Sequence, residues 1–278
     1  MSESIKELKE SSLTARKNLI KMAYSAGSAS AHVGGALSII DVIVILFKSI
    51  LKIRNGEKIL IERDKFILSK GHGCLAYYSV LINEGFIKEE ELNSFEKSES
   101  DLMGHPIINK QKGIEFSTGS LAMGLSIGVG LAIAKKIKKT DNKVYVIIGD
   151  GECNEGAIWE SAMSAYKYNL DNLIVILDKN NFQQTGSTKE IMDVFSLENK
   201  WKSFGWETTT IDGHNHEEIL IELKKKNKEN TPKVLIANTI KGKGVSLFEN
   251  NNQWHHSIVS KKIFDDAILE LEKNNEQL

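Results

Sequence analysis

The sequence predicts an α/β fold with a mostly parallel sheet flanked by helices. Short apolar segments, each typical of a buried strand, alternate with longer segments that have the period of a helix. The strand segments lie at residues 144–148, 173–177, 207–211 and 234–237. Helices are predicted at residues 121–138, 155–169, 196–204, 216–228 and 260–274. This alternation indicates βαβ units, in which each helix returns the chain so that successive strands run parallel.

The N-terminal part of the sequence predicts helices and little strand. Residues 4–26 have an amphipathic pattern, and residues 37–51 predict a more apolar helix. The second helix is too short and carries too many charges to span a bilayer. A short apolar stretch at residues 66–69 then leads into the alternating region. We therefore expect one domain over residues 1–278, with a helical segment over residues 1–60.

Composition argues against several classes of protein. The 36 basic and 37 acidic residues leave a net charge of −1, whereas a surface that follows nucleic acid phosphates needs a basic excess. The two cysteines, Cys74 and Cys153, form no C-x-x-C pair, which fits a reducing, cytoplasmic compartment. The first ten residues have no apolar signal core. The histidines lack the H-x-x-x-H spacing of a helical zinc site, so we expect no zinc. Because no predicted segment could span a bilayer, we also expect no membrane anchor.

Polar side chains follow two neighbouring strands of the predicted sheet. Gly149-Asp150-Gly151 comes directly after the strand at 144–148, and Asn180 follows the next strand. In parallel sheets ligands bind beyond the carboxyl ends of the strands, so Asp150 and Asn180 should lie together. Their oxygens suit Mg²⁺, which can hold a diphosphate, and glycine lets the backbone approach such a group. The triplet alone would fit an ordinary β-turn, but the pair predicts a magnesium and diphosphate site.

Beyond this pair, the chain resembles the diphosphate-binding half of transketolases. The Gly-Asp-Gly triplet with the later Asn-Asn resembles the thiamine diphosphate signature. Further segments resemble transketolase in that family's order and cover the chain almost end to end. They are residues 68–73, 104–106, 117–121, 149–156 and 241–245. The resemblance implies a thiamine-diphosphate-binding fold with thiamine diphosphate and Mg²⁺ as cofactors.

The resemblance also implies roles for individual residues. Asp150 and Asn180 would be side-chain ligands of Mg²⁺, and Phe182 would add its backbone carbonyl. Gly151 would contact the diphosphate through its N–H, and Ile191 would pack near the thiazolium ring. The other implied cofactor contacts are His72, Gly119, Ser120, Leu121, Gly149, Glu152 and His255.

Histidines are the implied catalytic groups. His32, His72 and His105 would surround the thiazolium and the hydroxyls of the sugar donor, where an imidazole can move protons near neutral pH. A late family histidine corresponds to His255 or His256, and we prefer His255. The remaining pair, His214 and His216, is expected to cap a helix and face solvent.

Glu155 resembles the acid that links two cofactor sites across a dimer interface, and we assign it that catalytic role. A carboxylate at this point would also interact favourably with the N-terminus of the helix that begins there. The two interpretations are compatible.

Three segments depart from the family pattern. The family's Gly-His is Ala31-His32 here, and its Gly-Gln is Ala122-Met123. Its Gly-Ala-Pro after the late histidine is replaced by residues 257–259. These changes leave cofactor binding credible, but they weaken the case for the ordinary pentose phosphates and favour a specialised sugar.

The resemblance implies ketol transfer, in which a two-carbon unit passes from a ketose or its phosphate to an aldose or its phosphate. In the family, the glutamate that activates the cofactor comes from a pyrimidine-binding domain, and we find no second set of alternating strands and helices. We therefore expect the pyrimidine-binding and C-terminal domains on a separate chain, in an α2β2 assembly, and no turnover by this chain alone.

Other functions are also compatible with the sequence. A deoxyxylulose-phosphate-synthase-like or 2-oxoacid-dehydrogenase-α-like subunit would use the same cofactor, and a non-catalytic cofactor-binding subunit would share the site. A nicotinamide-dependent dehydrogenase is disfavoured, because Gly128-Val129-Gly130 lies within a predicted helix and lacks the third glycine of the dinucleotide motif.

Overall fold

The computed structural model describes residues 4–53 and 63–275, and it contains a five-stranded parallel sheet with helices on both faces. The strand order is β1-β2-β3-β5-β4, and every neighbouring pair is parallel. The strands are β1 (Lys65–Leu68), β2 (Val144–Gly149), β3 (Leu173–Lys179), β4 (Glu207–Asp212) and β5 (Lys233–Asn238). The predicted α/β fold is therefore confirmed.

The helices follow the sequence pattern closely, except in the N-terminal region. They are α1 (Ile5–Ser25), α2 (Gly34–Leu37), α3 (Ile40–Ile45), α4 (Cys74–Asn83), α5 (Met123–Ile137), α6 (Gly156–Lys167), α7 (Thr188–Met192), α8 (Leu197–Ser203), α9 (His216–Lys224) and α10 (Lys261–Asn275). The bounds of α1, α5, α6, α8 and α10 differ from prediction by two residues or fewer. Helix α9 ends earlier than predicted, because Lys225 has an extended backbone.

The prediction of one helix over residues 37–51 is wrong. The chain forms α2, then α3, then a π-helical turn at Leu46–Ile50. At the break between α2 and α3, Ser38 Oγ lies 2.9 Å from the Gly35 carbonyl oxygen and 2.6 Å from Asp178 Oδ2. The apolar pattern correctly predicts that this segment is buried. It does not predict where the helix breaks, because that depends on a serine hydroxyl that bonds a residue outside the helix. Part of the predicted helical segment 1–60 lies outside the described residues.

Both faces of the sheet are buried. Along β2, Tyr145 and Ile147 pack into the core on the side of α1 and α4, whereas Val144 and Val146 pack toward α5 and α6. Helices on both faces explain why the strands appear in the sequence as continuous apolar runs. Within the two described ranges, no helix is long and apolar enough to cross a membrane.

The carboxyl ends of the strands form one edge, where the loops after β1, β2, β3 and β5 meet. Gly149 of β2 is in register with Asp178 of β3, which confirms the predicted adjacency of these two strand ends. Helix α5 lies directly against the sheet through small residues. A Cβ on Gly128 would lie 2.6 Å from Val146 Cγ2, so the contact requires glycine.

Two glycines of α5 provide a matched pair of substitutions. Gly128→Ala should destabilise the chain by about 1–3 kcal/mol, because the added methyl group would overlap Val146 in a packed core. Gly130→Ala should stabilise it by about 0.5–1 kcal/mol, since nothing lies within 4 Å and alanine favours a helix. Urea unfolding of the isolated chain measures both. Equal effects of the two substitutions would contradict the packing of α5.

Candidate active site

A cavity of about 310 Å³ opens at the carboxyl edge of the sheet. It lies where the loops after β1, β2 and β3 meet the segment before α10. The predicted site residues that line it are His32, His72, His105, Gly119, Leu121, Gly149, Asp150, Gly151, Glu152, Asn180, Phe182 and His255. Residues not predicted from the sequence also line it, namely Lys70, Gln183 and Gln184.

A larger cavity, of about 400 Å³, lies near the amino end of β1. Its buried charged groups already bond one another. Lys65 Nζ lies 2.6 Å from Glu115 Oε1, and Lys135 Nζ donates to the Arg63 carbonyl. Size alone therefore does not identify the functional site, and the carboxyl-edge cavity is distinguished by its chemistry.

Asp150 is a buried carboxylate that makes no ion pair with any lysine, arginine or histidine of the described chain. It is 3% exposed, and its oxygens accept the N–H groups of Gly151 at 2.8 Å and Asn181 at 2.6 Å. Burial and the nearby charge of Asp178 raise the pKa of Asp150 to about 7. A carboxylate that is buried, makes no ion pair and has a raised pKa is suited to binding a cation, whose charge would favour the ionised form.

Asn180 and Phe182 line the same cavity as Asp150. The Asn180 amide nitrogen donates to Asp178 Oδ2 at 3.0 Å, and this bond fixes the orientation of the amide. The amide oxygen accepts the N–H of Phe182 at 3.0 Å. One carboxylate, one amide oxygen and a backbone carbonyl are the oxygen donors that a hard divalent cation prefers. The residues present therefore fit such an ion.

Asp178 is a buried residue that contacts several residues of the site, although the sequence pattern did not single it out. Its side chain is fully buried and forms an ion pair with Lys70. Ser38 donates to it at 2.6 Å, and Thr239 donates to its other oxygen. Burial alone would raise the pKa of Asp178, but the Lys70 ammonium and the two hydroxyls hold it below its ordinary value. Asp178 is thus a fixed anion that orients Asn180.

Two buried ammonium groups lie near Asp150. Lys70 donates to the Gly35 carbonyl at 2.9 Å as well as to Asp178. Lys241 is 1% exposed and donates to the Gln183 carbonyl at 3.2 Å. Burial and the charge of Lys70 lower the pKa of Lys241 to about 8. Lys70 is already paired with Asp178, so Lys241 is the ammonium whose charge would favour a ligand with several negative charges, such as a diphosphate.

Histidine side chains cluster around His32. Its ring centroid lies 5.6 Å from that of His72, 5.8 Å from His105, 5.4 Å from His255 and 4.3 Å from His256. Burial is the main cause that lowers the pKa of His32 to about 3 and of His255 to about 4. Burial also lowers the pKa of His72 and His105. These four rings are therefore neutral at neutral pH, each with one N–H donor and one acceptor nitrogen.

His255 and His256 differ in their contacts. His255 lines the cavity, and its Nδ1 lies 3.2 Å from Lys241 Nζ. Because an ammonium can only donate, Nδ1 accepts and the ring proton is on Nε2. His256 is exposed and bonds Ser30 at the cavity mouth. The geometry therefore supports His255 as the ring that faces the bound ligands.

Four other predicted residues are in the cavity wall or outside it. Glu152 accepts bonds from Ser69 Oγ and from the N–H groups of Gly149 and Ala122, so its carboxylate joins three segments of the cavity wall. The remaining three are not among the residues that line the cavity, and all are exposed in this chain. They are Ser120, Glu155 and Ile191. Their implied roles stay predictions.

The expectation that His214 and His216 cap a helix in solvent is wrong. Asn215 caps α9, because its side chain accepts the N–H groups of Glu217 and Glu218. His214 bonds buried Asp41 instead, and His216 is 7% exposed. A Gly-His-Asn-His turn does not reveal these contacts, since their partners lie far away in the sequence.

Fold and cavity together define a cofactor-binding α/β protein whose site suits a diphosphate and a divalent cation. Residues 13–270 match the family model of the transketolase thiamine diphosphate binding domain. The chain therefore belongs to the transketolase family, as its thiamine diphosphate-binding domain.

Similar proteins include single subunits of sugar transketolases. One is from the apulose-4-phosphate transketolase of Phocaeicola vulgatus; it is 39% identical over 264 residues, an alignment that covers 95% of this chain and 93% of that protein. Another is from the 6-deoxy-6-sulfo-D-fructose transketolase of Clostridium sp.; it is 40% identical over 243 residues, which cover 87% of this chain and 88% of that protein.

A solved structure agrees with the fold. Transketolase from Campylobacter jejuni superposes with a TM-score of 0.87 at 28% sequence identity. The alignment covers 97% of this chain but 43% of that one, so this chain spans less than half the length of the solved transketolase.

The Lys70–Asp178 pair should be strongly coupled. Lys70→Met would leave a fully buried carboxylate without its cation and should destabilise the chain by about 3 kcal/mol. Asp178→Asn should cost a similar amount, and the double variant should cost clearly less than the sum of the two. Urea unfolding of all four proteins measures this. Additive losses would show that the two groups do not interact as the structure describes.

Proposed function

We propose that this chain is the N-terminal, diphosphate-binding subunit of a Mg²⁺-dependent transketolase that is active only with a partner chain. The reaction moves a two-carbon ketol unit from a ketose or its phosphate to an aldose or its phosphate. The observation on which this depends is Asp150, a buried carboxylate that makes no ion pair among the described residues although the charges of Lys70 and Lys241 lie nearby. A divalent cation and an anionic cofactor would together balance these charges.

For the metal, Asp150, Asn180 and the Phe182 carbonyl are the proposed ligands. The Gly151 N–H and the two buried ammonium groups, Lys70 and Lys241, would hold the diphosphate. A Cβ at Gly151 would lie 2.8 Å from Gln183 Cγ, which supports a requirement for glycine there. When bound, thiamine diphosphate supplies the nucleophilic carbon and the electron sink that ketol transfer requires.

The chain's own contribution to the chemistry is positioning and proton transfer. Neutral rings of His32, His72 and His105 can each donate to one sugar oxygen and accept from another group. His255 can donate through Nε2, because its Nδ1 already accepts from Lys241. Four pairs of these rings have centroids 5.4–5.8 Å apart, so the rings lie side by side and one substrate could contact several of them at once. With pKa values of about 3 and 4, His32 and His255 are weak bases in this chain, and negative charge brought by a bound ligand would raise these values toward neutrality, where proton uptake becomes effective.

A partner chain would supply the pyrimidine-binding and C-terminal domains. Relatives of matching length that carry the name of a transketolase subunit support this division. Apolar side chains exposed near the site support a covered surface as well; they are Leu121, Met123, Ile191, Met192 and Phe195. We propose an α2β2 assembly with cofactors at the subunit interfaces, in which Glu155 connects two sites.

The names of the relatives and the state of the cysteines support a proposal for the substrate and the location. The names of two relatives, together with Ala31 and Ala122 where the family has glycine, favour a specialised sugar or sugar phosphate. Cys74 and Cys153 are free and buried, which fits a cytoplasmic protein.

We propose that residues 1–278 act as one diphosphate-binding domain.

Asp150→Ala should abolish Mg²⁺-dependent binding of thiamine diphosphate, because it removes the only carboxylate among the proposed ligands. Asp266→Ala removes one negative charge from an exposed position on α10 and serves as the control, with unchanged affinity expected. Calorimetric titration with and without Mg²⁺ measures both. Wild-type affinity in the Asp150 variant would refute the assigned metal site.

The activity itself is tested by mixing. This chain and its candidate partner, each alone and together, are assayed with thiamine diphosphate, Mg²⁺, xylulose 5-phosphate and ribose 5-phosphate, and in parallel with apulose 4-phosphate or 6-deoxy-6-sulfofructose as donor. We expect ketol transfer only in the mixture. Turnover by this chain alone would contradict the requirement for a partner, and absence of transfer from every donor in a cofactor-loaded mixture would contradict the proposed reaction.

A further inference from the structure

A buried polar network lies outside the cavity, behind the loop that carries Lys241. At its centre is Asp41, which is 2% exposed. The guanidinium of Arg16 donates to both Asp41 oxygens, at 2.8 and 2.7 Å. His214 Nδ1 lies 2.8 Å from Asp41 Oδ2. These contacts join α1, α3 and the turn before α9, which are far apart in the sequence.

His214 also bonds the backbone of the loop that carries Lys241. Its Nε2 accepts the N–H of Ile240, the residue before Lys241, at 2.9 Å. Because Nε2 accepts, the ring proton must be on Nδ1, where it is donated to Asp41. His214 therefore needs one donor and one acceptor in a fixed geometry, and it connects a buried anion to the start of the loop.

The other side of the loop is held by the same network. Arg16 Nε donates to the Lys243 carbonyl at 3.1 Å. Between the two attachments, the Gly242 N–H donates to the Gly34 carbonyl at 2.9 Å. The side chain of Lys241 packs on Gly34, where an added Cβ would lie 3.2 Å from Lys241 Cγ. The backbone on both sides of Lys241 is thus fixed by groups that do not line the cavity.

We propose that His214 and Arg16 are positioning residues for Lys241, and that through Lys241 they set the affinity of the cavity for the diphosphate of the cofactor. This inference rests on the proposed function. A lysine side chain has several rotatable bonds, and holding its ammonium group in one buried place costs entropy. The Lys241 ammonium bonds the Gln183 carbonyl, the Asn252 side-chain oxygen and His255 Nδ1. A loop fixed on both sides keeps the ammonium among these acceptors, which reduces the entropic cost at the moment of binding.

Binding of inorganic pyrophosphate with Mg²⁺ to the full chain isolates the diphosphate contacts, and thiamine diphosphate is titrated in parallel. His214→Ala should weaken both by about 10-fold, the size of one hydrogen bond to a charged group. His214→Asn should recover most of the affinity, because an asparagine amide can also donate to Asp41 and accept from Ile240. His216→Ala is the matched control. His216 lies 3.5 Å from Asp41 and bonds the Ser12 hydroxyl and the His214 backbone carbonyl, and neither partner belongs to the loop that carries Lys241.

Comparison with Lys241→Met separates positioning from a general loss of structure. If His214 acts through Lys241, His214→Ala should cause no further loss of pyrophosphate affinity in the Lys241→Met background. An equal loss in both backgrounds, or wild-type affinity of His214→Ala, would overturn the inference while leaving the proposed function intact. A wild-type chain that binds neither pyrophosphate nor thiamine diphosphate, alone or with its partner, would overturn the proposed function and this inference with it.

Discussion

The ion pair between Lys70 and Asp178 is the interaction on which the rest of the site depends. Asp178 ends β3, and Lys70 follows β1. Ser38 and Thr239 bring two more segments to the same carboxylate. A buried ion pair is stable only when its remaining hydrogen-bonding capacity is satisfied, and here the break between α2 and α3 and the end of β5 provide the partners. The loops are thereby fixed at the edge of the sheet.

Charge that is unbalanced within the chain marks the binding surface. Asp178 is neutralised by Lys70, whereas Asp150 makes no ion pair with the residues that the structure describes, and its pKa is raised to about 7. The pKa of Lys241 is lowered to about 8, because this ammonium is buried and lies near the charge of Lys70. Folding alone does not favour either group in its charged form. Both would be stabilised by a ligand set that combines a divalent cation with a diphosphate.

Much of this architecture could be predicted from sequence, because strands buried on both faces leave uninterrupted apolar runs. Asp150 and Asn180 could be placed together because parallel strands end at one edge. Asp178 could not be recognised, since a carboxylate at a strand end has the same appearance whether it binds a metal or a buried lysine. The contacts of His214 could not be predicted for a related reason. Its partner Asp41 is 173 residues away in the sequence.

The sequence by itself determined the sheet, most of the helices outside the N-terminal region and the edge at which polar residues collect, because these follow from local periodicity and from glycine. Only the tertiary structure decided which charges are paired, which histidines are neutral and which loop holds Lys241. Burial and electrostatic pairing depend on distances between segments that are remote in the chain, and side-chain type alone does not encode them. The same aspartate can be a ligand at position 150 and a structural anion at position 178.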